Sequence, residues 1–101
     1  MQKGMLFLIP YGVMAVNDFK ERYTKDFLKD LKKIKSDFSL QERLKSKIQE
    51  ILKNPYHYKS LRNVLKNRRR THISSFVLIF EVIDSEGVVA FHVFKHHDEV
   101  Y

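Results

Sequence analysis

The sequence predicts an α+β domain: an N-terminal helical hairpin packed on a small, largely antiparallel sheet. Two amphipathic stretches with helical spacing come first, and β-type runs divided by turn signals follow. No linker, repeat or low-complexity segment separates them. At 101 residues the chain is one domain, 1–101, with room for one modest core.

Met5 to Val16 is apolar but interrupted by Pro10 and Gly12. It is shorter than the roughly 20 residues that span a bilayer. One lysine precedes it, and Ala15-Val16-Asn17 is a poor signal-peptide cleavage site. Residues 1–17 therefore read as an extra strand or arm ahead of a domain spanning 18–101. Asp18 to Tyr23 alternates loosely and reads as a strand. Thr24 reads as a helix N-cap, with Asp26 in the first turn. Phe27, Leu28, Leu31 and Ile34 then follow at helical spacing. Ser36-Asp37-Phe38 breaks that helix.

Ser39-Leu40-Gln41-Glu42 reads as a capping box for a second helix. Leu40, Leu44, Ile48, Ile51 and Leu52 form its apolar stripe, and Asn54-Pro55 ends it. Tyr56 to Leu65 is irregular. Strands are predicted over 67–74, 76–84 and 88–95. The last two are joined by a tight turn, Asp84-Ser85-Glu86-Gly87, in which Gly87 is free to take positive φ. The run Phe76–Asp84 is apolar at nearly every position, which predicts a central strand.

Charge carries the functional signal. Ile51 to Phe80 holds no Asp or Glu, yet carries Lys53, Lys59, Arg62, Lys66, Arg68, Arg69 and Arg70. The formal net charge is +7. Cations fixed on a strand suit a polyanion such as RNA better than a small-molecule substrate. Arg68, Arg70 and His72 share one face by the period of two, and Arg69, Thr71 and Ile73 the other. One face must meet the helices, which leaves the other to carry cations. Arg62, Lys66, Arg69 and His72 are thus candidate RNA-binding residues.

The ending Phe94-Lys95-His96-His97-Asp98-Glu99-Val100-Tyr101 is the second candidate site, expected to meet the basic strand over the open face. Adjacent strand histidines point to opposite faces and no third ligand stands out, so neither a metal nor another cofactor is expected. The absence of cysteine excludes a disulfide framework and fits a reducing, cytoplasmic setting.

From Tyr23 to Tyr101 the chain resembles the RelE/ParE family of toxins from bacterial and archaeal toxin–antitoxin pairs. The marks are the helical hairpin, Leu61-Arg62, the basic strand feeding Val77-Leu78-Ile79-Phe80-Glu81-Val82, the acidic turn, and the closing Val93–Tyr101. The resemblance implies a RelE-like, microbial-ribonuclease-like fold. It implies messenger RNA cleavage, often on the ribosome, or gyrase poisoning in the ParE branch. Arg68 and Arg70 match the family's two basic side chains set two apart, Lys95 its basic residue near the last strand's end, and Tyr101 its closing tyrosine. His96 or His97 lies where related nucleases place catalytic groups. Val77 stands where many relatives have an arginine.

The expected chemistry is metal-independent attack by the RNA 2′-hydroxyl, with Arg68, Arg70 and Lys95 on the phosphate. His96 or His97 serves as acid or base, and Tyr101 positions the substrate. The alternatives are a ParE-like gyrase inhibitor and a non-catalytic RNA-binding module. A cognate acidic antitoxin is the expected protein partner, with no membrane.

Overall fold

The computed structural model describes residues 18–61 and 67–100. The arm at 1–17 and the candidate residues Arg62, Lys66 and Tyr101 lie outside the described residues.

Strand β1 (Lys20–Tyr23) runs into helix α1 (Lys25–Lys32) through Thr24. Thr24 is the predicted cap: its Oγ1 accepts from Phe27 N–H at 3.1 Å. Its own N–H donates to Phe91 O at 3.2 Å, which fixes the start of α1 against the sheet. Helix α2 (Phe38–Lys53) starts earlier than the capping box predicts. Its N-cap is Asp37, whose Oδ1 accepts from Leu40 N–H at 3.0 Å, and not Ser39. A carboxylate is the stronger acceptor and suits the positive end of the helix dipole, so it outcompetes a hydroxyl two residues later.

After α2, Pro55–His57 makes a 3-10 turn into a two-residue strand, β2 (Lys59–Ser60), in the segment expected to be irregular. Two residues give no alternation to read. Strands β3 (Arg68–Ile73), β4 (Phe76–Ile83) and β5 (Val88–His96) match the predicted strands within two residues at each end, and a short helix α3 (His97–Val100) follows. The β4–β5 turn contains a 3-10 turn, Asp84–Glu86, and Gly87 takes φ 65°.

The sheet order is β1-β5-β4-β3-β2, so β4 is central as predicted. Among the described strands only β1 pairs in parallel, with β5; the other pairings are antiparallel. Leu78, Phe80 and Val82 of β4 join Val89, Phe91 and Phe94 of β5 in one core with Phe27, Leu31, Leu44, Ile48, Ile51 and Leu52 of the helices. Burying a large apolar side chain is worth about 1.5–3 kcal/mol, so this cluster is what holds the helices on the sheet.

One irregularity governs the site. Phe80 pairs with Phe91, but Ile79 pairs with Val93, so His92 is an extra residue in β5. Such a bulge resets which face each later side chain occupies. Strict alternation from Phe91 would send Val93 and Lys95 toward the helices and Phe94 and His96 away. With the bulge, Phe94 joins the core, Lys95 moves to the opposite face, and His96 follows Phe94.

Candidate nucleic-acid interface

The core side chains of β4 fix the helix-covered face, and register then assigns the rest. Ile73 is buried on the helix side of β3, so Arg69 and Thr71 share that side. Arg68, Arg70 and His72 lie on the opposite face, across from Glu81, Ile79 and Val77. The same face receives Lys95, which pairs with Val77, and Lys20 and Arg22 of β1, which pair with Val88 and Ala90. Lys59 of β2 pairs with Arg70 and joins them. Among the described strand residues, Glu81 is the only carboxylate on that face. Val77, Ile79 and Ala90 form its apolar floor.

The predicted site is therefore divided. Arg68, Arg70, His72 and Lys95 share one face, in three successive registers of β4: Glu81, Ile79 and Val77. His96 does not join them. It pairs with Phe76 and its ring meets Phe76 edge-on at 5.7 Å, on the helix side. His97 opens α3, its N–H held by Ser75 O at 2.9 Å. The bulge at His92 turns His96 to the helix side, and His97 leaves the strand at the start of α3, so register places neither histidine with the arginines.

Arg69 is also set apart. Its Nη1 donates to Tyr58 O at 2.7 Å and its guanidinium lies over the Tyr56 ring, 5.2 Å from the centroid. Its Nε is buried without a hydrogen-bond partner among the described residues. This arginine anchors the loop after α2, and its charge does not join that of Arg68 and Arg70. Tyr58 packs edge-on against Phe80 at 5.8 Å and donates to Glu50 at 3.2 Å. Its pKa is pushed up to about 12, by loss of hydration first and then by the Glu50 carboxylate. Burial, and secondarily the Glu21 charge, raises that of Tyr23 as well.

Lys95 leaves the face at its tip, because its Nζ pairs with the Asp30 carboxylate of α1. Asp30 is 2% exposed, and its Oδ2 also accepts from Phe94 N–H at 2.9 Å. Lys95 therefore brings little uncompensated charge to the face. The sequence signal for Asp30 was present: it falls on the apolar stripe of Phe27, Leu31 and Ile34.

Glu81 and His92 also meet on this face, and the sequence pattern marks neither as a site residue. His92 Nε2 lies 2.9 Å from Glu81 Oε1, with side-chain exposures of 20% and 31%. A lone carboxylate in an apolar strand was the available signal for Glu81. Nothing in the sequence marks the bulge. Asp98 supplies the third potential metal ligand missing from the sequence reading. Ligand atoms of half-buried His96 and of exposed His97 and Asp98 lie within 4.8 Å of one another, and these groups could hold a transition metal.

A sheet carrying cations on one face and helices on the other can be compared with known proteins, and the comparison defines the class. Residues 22–101 match the family model for the ParE toxin of the type II toxin–antitoxin system parDE. The chain belongs to the RelE/ParE superfamily of type II toxins. It is 39% identical over 85 residues to a protein described as putative toxin RelE4 of Methanocaldococcus jannaschii, covering 78% of this chain and 90% of that one. Solved relatives include the intact E. coli RelBE toxin–antitoxin complex, at 25% identity and TM-score 0.68, covering 77% of this chain and 95% of that one. The RelBE2 toxin–antitoxin complex of Mycobacterium tuberculosis superposes with TM-score 0.68 at 19% identity, covering 78% and 98%; it speaks for the fold. Among the described residues no helix is long and apolar enough to cross a membrane.

Proposed function

We propose that this toxin is a metal-independent endoribonuclease that cleaves messenger RNA, with the ribosome as its working platform. The observation that carries the reading is the row of Arg68 and Arg70, fixed by β3 on a face whose strand residues include one carboxylate, Glu81. Residues i and i+2 on a strand have Cα atoms roughly 7 Å apart and side chains on one face, which lets two guanidiniums reach neighbouring phosphates. Arginine grips phosphate in a bidentate fork and keeps its charge at any working pH. In this reading Arg68 and Arg70 hold the scissile phosphate and a neighbour and stabilise the charge that develops as the 2′-oxygen attacks. His72 extends the track along β3, and Lys59 widens it from β2.

The partner proposed for the resting state is an acidic antitoxin that covers these cations. Support comes from the E. coli and M. tuberculosis relatives, both solved as toxin–antitoxin complexes.

The second reading is a ParE-like gyrase inhibitor. The match to the ParE family model favours it, as does Val77, a fully buried apolar residue flanked in register by His72 and Lys95 where many relatives have an arginine. Primer extension on RNA from induced cells separates the two. Codon-phased cuts support the nuclease; intact messages with DNA damage sink it in favour of gyrase.

A further inference from the structure

We infer that His92, oriented by Glu81 at the β5 bulge, is the proton-transfer group of this toxin, a role that the sequence pattern gave to His96 or His97. The inference rests on the ribonuclease reading above and names the residues that would run it.

The geometry builds the pair in steps. The extra residue at position 92 leaves both His92 and Val93 on the cation-bearing face. Bulges of this kind re-aim a side chain and are enriched beside active sites. The re-aimed imidazole meets Glu81, the only described strand carboxylate on that face. A carboxylate accepts and cannot donate when ionised, so Nε2 carries the hydrogen toward Oε1 at 2.9 Å. Nδ1 is then the nitrogen with a free lone pair. Arg68 stands across from Glu81 in register. No ion pair to Arg68 appears among the described residues, so its guanidinium remains available for a phosphate beside the imidazole.

This is the arrangement a transphosphorylation needs. His92 Nδ1 takes the proton from the 2′-hydroxyl as the 2′-oxygen–phosphorus bond forms. The phosphorus–5′-oxygen bond breaks, and Arg68 offsets the charge on the phosphorane. Water protonates the departing 5′-oxygen, and the imidazolium later returns its proton to solvent. A 2′,3′-cyclic phosphate and a 5′-hydroxyl result. Glu81 is a positioning residue: it fixes the tautomer and stabilises the imidazolium without receiving the proton.

Charged groups surround His92. Glu81 of β4 meets its Nε2, and Arg68 of β3 stands across from Glu81 in register. Arg22 of β1 is paired with Glu86 at 2.6 Å, and Lys95 of β5 with Asp30 of α1, so both are largely neutralised nearby.

The test uses the full chain on a model RNA and on programmed ribosomes, from about pH 5 to 9. His92→Gln should lower cleavage by roughly 10²–10⁴ at neutral pH while RNA affinity stays within about threefold of wild type. Glu81→Gln should lower the rate less and change the shape of the pH profile, because the imidazole loses the carboxylate that holds its Nε2. A purely structural Glu81 would leave that profile unchanged. Should His92→Gln fold poorly, the wild type decides: its His92 ring resonances should shift on binding a 2′-deoxy oligonucleotide that cannot be cut. A wild type that cleaves, paired with an active His92→Gln or with unmoved His92 resonances, overturns the dyad and leaves the ribonuclease reading standing. A wild type that cuts no RNA in either format overturns both.

Discussion

The buried carboxylate of Asp30 on α1 is ion-paired with Lys95 on β5 while it accepts the Phe94 N–H. Strand β1 stops pairing with β5 at Phe91, and Thr24 takes the Phe91 carbonyl next. Helix α1 then runs along the strand edge, and Asp30 satisfies an N–H that β1 no longer reaches. One side chain thus closes the sheet edge and sets the position of a site cation.

Asp30→Ala should cost about 2–3 kcal/mol, because it orphans a buried N–H and frees a partly buried ammonium. For a domain of this size that is a fall of roughly 10–20 °C in Tm. Asp30→Asn keeps an acceptor for Phe94 and should lose about half as much. Thermal melts of both variants check this. Equal losses for Ala and Asn would mean that the Phe94 bond contributes nothing.

Arg69 offers a contrast with its neighbours in sequence. Arg69→Ala removes the bond to Tyr58 O and the contact with the Tyr56 ring, at a cost of about 2 kcal/mol. Arg68→Ala, with no ion pair to lose among the described residues, should stay within about 0.5 kcal/mol of wild type. Urea titrations compare them. A stable Arg69→Ala would return that side chain to the list of RNA ligands.

The division among three adjacent arginines shows where sequence reading stops. The period of two separated Arg69 from Arg68 and Arg70 but left open which face meets the helices, and Arg69 was placed among the RNA ligands; the buried Ile73 assigns it to the helix side. Helix spacing found Phe27, Leu31, Leu44 and Ile48, and the apolar run found the central strand. The bulge escaped because Phe91-His92-Val93-Phe94 alternates no better with it than without it. Its placement depends on pairing with β4, which is a tertiary fact. Everything beyond it changed face, so Lys95 joined the cations and His96 left them. Arg62, Lys66 and Tyr101 lie outside the described residues and stay as expectations.

Tyr58 gives a pH prediction. Its folded-state pKa is raised to about 12 from the ordinary 10.0. A raised pKa favours the neutral phenol, so the contribution to stability is present below pH 10 and lost as pH rises through about 12. Tyr23 shifts the same way and reinforces the loss. In a tyrosinate absorbance titration, Tyr58→Phe should remove one late-titrating group and flatten the alkaline fall in Tm. A wild type whose tyrosines all ionise together at the ordinary value would contradict the packing of Tyr58 against Phe80.

The cation face makes a prediction that separates binding from folding. Each phosphate contact to single-stranded RNA contributes about 0.7 to the slope of log affinity against log salt. Arg68→Ala and Arg70→Ala should each reduce that slope by roughly 0.7. Arg69→Ala should leave it unchanged despite its lower stability, since its guanidinium is held by Tyr58 and Tyr56 on the helix side. Lys95→Ala should have a smaller effect than either arginine, because Asp30 already neutralises the ammonium. Filter binding of a short RNA over a salt series measures all four variants. If Arg69→Ala lowers the slope as much as Arg68→Ala does, the RNA does not approach from the Arg68 face, and assigning the interface by strand parity is wrong.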